Sequence, residues 1–472
     1  MSRQAMIIDM DRCVGCGACV MACQEEWDLP QDVRRNWVEP LLPVAGPGRP
    51  TYTHYVGLCN HCSSAPCLGA CPTGATYRDA KGRIRVNHRA CIGCGYCVEA
   101  CPYGARVLRP DNNRIEKCDF CAPLVDAGLE PACVRTCPAG ARIFGDLDDR
   151  QGAVSRHFRD HPVRCLETAE VAIRPNVYYA GKRRNIERIL AAHPPKKAGL
   201  QPPLPGRLMK SVLRPALLGM LGLTLAAQAV AYLKQLRRGE PEAAPAEATG
   251  PKVTVHRHDQ AIVWLHWFNA AVWLIQCLTG FALLGRSDYR VAPPFVYEAA
   301  VSVFGSHAML LRWHLVVGLV WLVVLVAYGL FGLRRYLIPY LRSLRPRPGD
   351  LGWILGRVRN FFVSRPRALP PQGRYNAGQK VCGAVVSVGT LLIVATGLVM
   401  WLLPGSGPWI QWAIPLHFAS VAMVLVMLTA HIFMAAFVTE ERPALRSMVT
   451  GRMDKDFARA HHPLWLDRQE KE

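Results

Sequence analysis

Sixteen of the 19 cysteines fall into four groups within the first 137 residues. Cys13, Cys16, Cys19 and Cys23 form C-x2-C-x2-C-x3-C, and Cys91, Cys94, Cys97 and Cys101 repeat that spacing. Cys59, Cys62, Cys67 and Cys71 form C-x2-C-x4-C-x3-C, and Cys118, Cys121, Cys133 and Cys137 form C-x2-C-x11-C-x3-C. Three thiolates close in sequence can wrap three corners of one cubane, while a fourth, after a turn and often before proline, reaches a neighbouring one. Sixteen thiolates therefore suit four [4Fe–4S] clusters. The competing readings are disulfides and zinc knuckles, but zinc takes two cysteine pairs rather than runs of C-x2-C-x2-C. Cys165, Cys277 and Cys382 match no group and read as buried structural thiols.

The second set of chemistry-bearing residues is four histidines in apolar surroundings: His266, His314, His417 and His431. A histidine inside a lipid-spanning helix is costly and normally has a partner. His417 and His431 are 14 residues apart, which puts them about 40° apart on one helix face and ~21 Å apart in height. Two haems stacked across a bilayer need that arrangement. Matched depth pairs His266 with His431 and His314 with His417, each pair offering axial imidazoles to a b-type haem. His256, His258, His307, His461 and His462 fall at membrane edges and read as solvated or headgroup-facing. His61 reads as structural.

The elements that must position these residues divide the chain. Residues 1–150 are rich in Cys, Gly and Pro, a texture of loops and short strands around inorganic centres. Residues 151–210 read as an extension and connector. Five apolar segments follow, at about 216–233, 261–285, 309–333, 381–403 and 411–438. The last four are long enough to span a bilayer, and the first is marginal. The expected organisation is a cluster domain at 1–150, an anchor helix at 211–234, a linker at 235–258 (GEPEAAPAEATGP within it), a four-helix dihaem bundle at 259–440 and a tail at 441–472. The fold class is an α+β ferredoxin-like domain of tandem two-cluster modules, followed by an all-α transmembrane part.

Composition agrees. Of 472 residues, 51% are hydrophobic and 19% charged, against about 25% charged in a typical soluble domain. That excludes a disordered chain, and the length excludes a small disulfide scaffold. The formal charge of +21 sits beside anionic clusters and at one membrane face, so nucleic acid is not an expected partner. The loop from Arg334 to Lys380 holds eleven basic residues and one acid, Asp350. The positive-inside rule places it in the cytoplasm. Parity then puts the C-terminus inside, the uncharged loop 404–410 outside, and the cluster domain outside. MSRQAMIIDMDRC lacks the apolar core of a signal peptide, so an external domain is expected to be exported alongside a partner.

The stretches CNHCSSAPC (59–67), CIGCGYCVEACPYGA (91–105), KCDFC (117–121) and RPNVYYAG (174–181) resemble the four-cluster electron-transfer subunits of the molybdopterin oxidoreductases. That family includes the iron–sulfur subunits of formate dehydrogenase N and of dimethyl sulfoxide, thiosulfate, polysulfide and tetrathionate reductases. The resemblance implies crossed ligation: Cys13, Cys16, Cys19 with Cys137; Cys118, Cys121, Cys133 with Cys23; Cys59, Cys62, Cys67 with Cys101; Cys91, Cys94, Cys97 with Cys71. Residues 257–472, above all RYNAGQK (374–380) and ARAHHPLW (458–465), resemble the dihaem cytochrome b component of formate dehydrogenase N. That resemblance implies a menaquinone or ubiquinone site at Asn376, Gly378 and Gln379; as plain helix chemistry, Asn376 is also an N-cap.

The expected function is a relay between a separate molybdopterin catalytic subunit and the quinone pool, in a bacterial inner membrane, with lipid contacts and room for a higher oligomer. No residue set for primary substrate catalysis is evident. A formate dehydrogenase-type complex reducing quinone is the leading expectation. The alternatives are the same relay run from quinol to a thiosulfate, polysulfide or tetrathionate reductase, and a haem-free iron–sulfur anchor.

Overall fold

The computed structural model describes residues 3–44, 51–197, 203–237, 253–363, 367–403 and 408–471. The polar linker and most of the 404–410 loop lie outside the described residues. The chain forms two compact units: Met1–Val212 with Phe281–Leu311 and Leu398–Pro415, and Leu213–Gly280 with Arg312–Gly397 and Leu416–Glu472.

In the first unit the strand Gln4–Asp9 is buried along its whole length. It lies between Arg142–Asp146, antiparallel, and Val177–Ala180, parallel; Val163–Arg164 closes the four-stranded sheet. Strand side chains alternate between faces, and here both faces are covered. Ala5 and Ile7 pack with Val154 and Ala180 under the helix Ala153–Asp160. Met6, Ile8 and Met10 pack with Tyr55, Leu58, Phe120, Cys118 and Cys133. The sheet's cluster-side face is therefore built of the same residues that fix the cysteine loops. Three two-stranded hairpins carry the rest, at 36–58, 76–86 and 107–116.

One sequence boundary shifts. Val163–Ala180 supplies two of the four strands, so residues 151–192 belong with the cluster domain and not to a connector. The texture there is polar and short, and its strands become visible only through pairing, Val177–Ala180 with Gln4–Asp9 and Val163–Arg164 with Val177–Ala180.

Among the described residues, five helices are long and apolar enough to cross a membrane: Leu204–Leu236, Gln260–Arg286, His307–Phe331, Ala377–Leu402 and Pro408–Ala436. The first is not short. Helix Leu204–Leu208, a π-helical turn at Met209–Leu213 and helix Arg214–Arg237 run on without a break. Its far end meets the fifth span, where Gln235 Nε2 donates to Phe437 O at 3.3 Å and Tyr232 lies edge-on to Phe437. The other spans of the second unit close on Val272, Trp273, Trp321, Ile393 and Val424. Trp321 Nε1 donates to Asn269 Oδ1 at 2.7 Å, pairing the polar atoms of a buried indole and a half-buried amide.

The helical part is not wholly α. Thr254–His256 pairs antiparallel with Arg452–Asp454. Gly451, at φ +73°, precedes that strand and passes so close to His258 O that an added Cβ would lie 2.5 Å from it. Residues 442–469 fold as three short helices around Met453, Ala458, Trp465 and Leu466, so the expected tail is a packed cap.

Candidate redox centres

The two C-x2-C-x2-C runs are built alike. Gly15 and Gly93 have φ +71° and +68°, and Gly17 and Gly95 have φ +75° and +76°. These left-handed residues turn the backbone around the thiols before each run enters a helix, Ala18–Glu26 or Tyr96–Glu99. Cys71, Cys101 and Cys137 each start a C-P-x-G-A turn.

The thiols gather across the chain. Cys13 lies within electrostatic reach of Cys19 and Cys137. Cys118 has Cys23, Cys133 and Cys121 around it. Cys62 has Cys59, Cys67 and Cys101, and Cys94 has Cys71, Cys97 and Cys91. Burial and mutual repulsion raise these thiols, Cys23 to about 12, with burial the larger cause. Four desolvated thiolates held together are costly unless a cationic centre takes up their negative charge. Backbone N–H groups of Thr76, Phe120 and Ala141 donate to Cys71, Cys118 and Cys137 at 3.5, 3.4 and 3.3 Å. The donor sets fit iron–sulfur clusters. Among the described residues no three His, Cys, Asp or Glu side chains form a group for a single metal ion.

Two buried arginines, which cysteine spacing alone does not mark, stand between the sets. Arg142 donates to Cys133 Sγ at 3.4 Å and Cys19 Sγ at 3.3 Å, and to Asn36 Oδ1. Arg106 donates to Cys67 Sγ at 3.1 Å and to Thr76 Oγ1, with Cys97, Cys59 and Cys101 close by. Both are 4% exposed. A signal for them exists in the sequence: CPYGAR (101–106) and CPAGAR (137–142) repeat, with CPTGAT (71–76) placing Thr76 opposite Arg106. His61 is buried, accepts from Ile84 N at 2.9 Å and stacks on Phe120; burial and four nearby cations hold it neutral.

The cysteine loops also touch the ends of spans inside their own unit. Tyr96 Oη donates to Gln411 O at 2.8 Å, Asp288 N donates to Gly69 O at 3.0 Å, and His307 Nε2 bonds Thr73 O. His307 is thus buried against the cluster domain rather than solvated.

In the second unit, His266 and His431 have ring centroids 6.2 Å apart at 70°. At that separation the two rings would hold one haem iron between them. His314 and His417 are likewise neighbours. Each of these two is held by a threonine. Thr279 Oγ1 bonds His314 Nδ1 at 2.8 Å, and Thr396 Oγ1 bonds His417 Nδ1 at 2.9 Å. Each hydroxyl also reaches a carbonyl of its own helix, Ile275 O at 2.8 Å and Leu392 O at 2.6 Å. A hydroxyl has one proton. Spending it on the carbonyl makes the oxygen an acceptor for Nδ1–H, which leaves Nε2 with its lone pair free for a metal. A glycine follows each threonine and keeps the approach open: an added Cβ on Gly280 would lie 3.3 Å from His314, and one on Gly397 would lie 3.7 Å from His417. The repeated Thr-Gly pair is the trace that this device leaves in the sequence.

The Asn376 turn opens the fourth span as a reciprocal cap. Asn376 Oδ1 accepts from Gln379 N at 2.8 Å, and Gln379 Oε1 accepts from Asn376 N at 3.0 Å. Gly378 is exposed beside Trp353, and buried Lys380 pairs with Asp350 at 2.8 Å.

Comparison with known proteins matches separate stretches of the chain to two kinds of family. The 4Fe-4S dicluster domain matches residues 12–75 and 51–147, and the Prokaryotic cytochrome b561 family matches residues 257–451. The chain is 38% identical over 182 residues to a tetrathionate reductase subunit of Salmonella typhimurium, covering 38% of this chain and 72% of the relative. It is 42% identical over 152 residues to the thiosulfate reductase electron transfer subunit of Salmonella typhi, covering 32% and 79%. It is 33% identical over 227 residues to the arsenate respiratory reductase iron-sulfur subunit of a Shewanella species, covering 38% and 95%.

Proposed function

The chain belongs to the iron–sulfur subunit family that includes these reductase subunits, fused to a cytochrome b561-type membrane part, and from that premise we propose that it relays electrons between a separate molybdopterin catalytic subunit and the quinone pool. Four [4Fe–4S] clusters and two b haems, when bound, supply single-electron transfer. The observation that carries the reading is the pairing of four histidines, His266 with His431 and His314 with His417, in a chain that also carries sixteen thiols in four sets.

The chain's own residues then have defined tasks. The four crossed cysteine sets bind the clusters, and Arg106 and Arg142 place fixed positive charge between sets. Thr279 and Thr396 hold the tautomer of the outer pair. Charge parity supports a cluster domain outside the cytoplasm, because the Arg334–Lys380 loop carries the positive-inside signal. That side is the periplasm of an inner-membrane protein whose C-terminus is cytoplasmic. At Asn376 and Gln379 the side-chain oxygens serve the cap, which leaves each NH2 as the donor for a quinone carbonyl beside Gly378.

The named relatives act in reductases, and this supports a reductase partner fed by quinol. The resemblance of RYNAGQK and ARAHHPLW supports the second reading, a formate dehydrogenase-type partner delivering electrons to quinone. Anaerobic spectra of membranes holding the chain and its partners separate them. Reoxidation of quinol-reduced b haem by tetrathionate or thiosulfate is the expected result for the first, and reduction of the haem band by formate for the second. No haem band with dithionite would overturn the relay itself and leave an iron–sulfur anchor.

A further inference from the structure

At the end of the second unit where the His266 helix begins, the structure buries positive charge without a counter-charge. Arg257 is 4% exposed, His258 5% and His462 2%, where the sequence suggested solvated histidines. Arg257 Nη1 donates to Met453 Sδ at 3.1 Å and Nη2 to Arg374 O at 2.7 Å, and its guanidinium lies over Trp465 at 5.2 Å. Arg374 returns the contact, Nη2 donating to Arg257 O at 2.6 Å. His462 Nδ1 bonds Gly373 O at 2.9 Å. Arg374 Nε and His258 Nδ1 are buried with no hydrogen-bond partner. Among the described residues no carboxylate pairs with Arg257 or Arg374.

These groups repel one another. Burial, Arg257, Arg374 and then His266 push His258 down to about 3, and burial with Arg374 lowers Arg257 to about 10. Buried cations are normally paired, and buried polar atoms normally bonded. A pocket with two guanidiniums, two unsatisfied polar atoms and no acid is complete only with an anion in it.

We propose that this pocket receives the propionate carboxylates of the haem held by His266 and His431, with Arg257 and Arg374 as their charge partners and His258 Nδ1 as the third contact. The proposal rests on the haem reading above. His266 is eight residues from His258 along the chain and within its electrostatic reach, which puts the buried cations at the end of the helix that carries that imidazole. Propionates are carboxylates carried at the edge of a group that the same imidazole ligates. A phospholipid phosphate or free phosphate shares the anionic-oxygen chemistry, and the experiment distinguishes them.

The test is a redox titration of both b-haem bands in membranes holding the full chain, for wild type, R257Q, R374Q and R257K. A cation beside the propionates favours the ferrous state, which carries one positive charge fewer. Each Gln variant is expected to lower the reduction equilibrium of one haem about tenfold, ~59 mV for one electron, with the other haem unmoved. R257K is expected to recover most of the shift. The moved haem is the one retained when His417→Ala removes its neighbour. Unchanged midpoints in R257Q and R374Q overturn the propionate assignment and leave the haem reading intact; no b haem in wild type overturns both. Delipidated wild type is also titrated with added phosphate or phosphatidylglycerol vesicles. A midpoint that follows either additive assigns the pocket to an exogenous anion and overturns the proposal. Should R257Q lose both haems, R374Q, which leaves the Arg257 contacts with Met453 and Trp465 in place, carries the test.

Discussion

Thr279 and Thr396 perform one task for two histidines, and the task is a matter of a single proton. Each hydroxyl gives its hydrogen to a carbonyl of its own helix and takes Nδ1–H from the imidazole. T279V removes that acceptor while keeping the side chain's shape. It is expected to weaken haem retention at His314–His417 about 10- to 100-fold, read as loss of one of two haems per chain, with T279S restoring it. An unchanged haem count and spectrum would remove the threonine from the account. Arg142 is the equivalent single-residue lever in the cluster domain. Its guanidinium touches Cys133 and Cys19, so R142Q is expected to lower the potentials of the adjoining clusters in an EPR-monitored titration, because a fixed cation favours the added electron. Clusters that titrate as in wild type would reduce Arg142 to a packing residue.

At the scale of elements, the opening of the fourth span tells a cap from a binding site. The Asn376–Gln379 exchange satisfies two helix N–H groups, and losing such a cap costs about 0.5–2 kcal/mol. N376D keeps the capping oxygen and removes the amide donor. It is expected to leave thermal stability within about 0.5 kcal/mol of wild type while raising the KM for quinol. If KM is unchanged in N376D and only N376A is destabilised, the turn is a cap alone. The Gly451 corner shows a second constraint of this kind. With φ +73° and an added Cβ 2.5 Å from His258 O, G451A is expected to loosen the cap formed by residues 442–469 by about 1–3 kcal/mol, read as earlier proteolysis of the C-terminus.

For the whole molecule, charge parity across the five apolar segments supports the proposed orientation. A fluorescent protein fused after Glu472 is expected to mature in the cytoplasm. Alkaline phosphatase inserted at 404–407 is expected to be active, since it folds only on the far side. Fluorescence lost at the C-terminus together with an inactive phosphatase insert would invert the topology and place the cluster domain inside.

The sequence by itself determined which atoms can ligate and roughly how deep they lie. Cysteine spacing is a local property, and so is the 14-residue interval between His417 and His431 on one helix. Apolar run length is also local, although the first span proved longer than its apolar core because Leu204–Leu213 continues the helix through residues of mixed polarity. Only the tertiary structure decided what lies across from these residues. It brought Val177–Ala180 beside Gln4–Asp9, set Arg142 between thiols more than a hundred residues apart in the chain, and aligned each threonine with a histidine on another helix. It also gathered Arg257, Arg374 and His462 from three separate segments into one cluster at the start of the His266 helix. Such neighbours leave no periodic trace in sequence, because they are selected by close packing and by the cost of leaving a buried polar group unpaired.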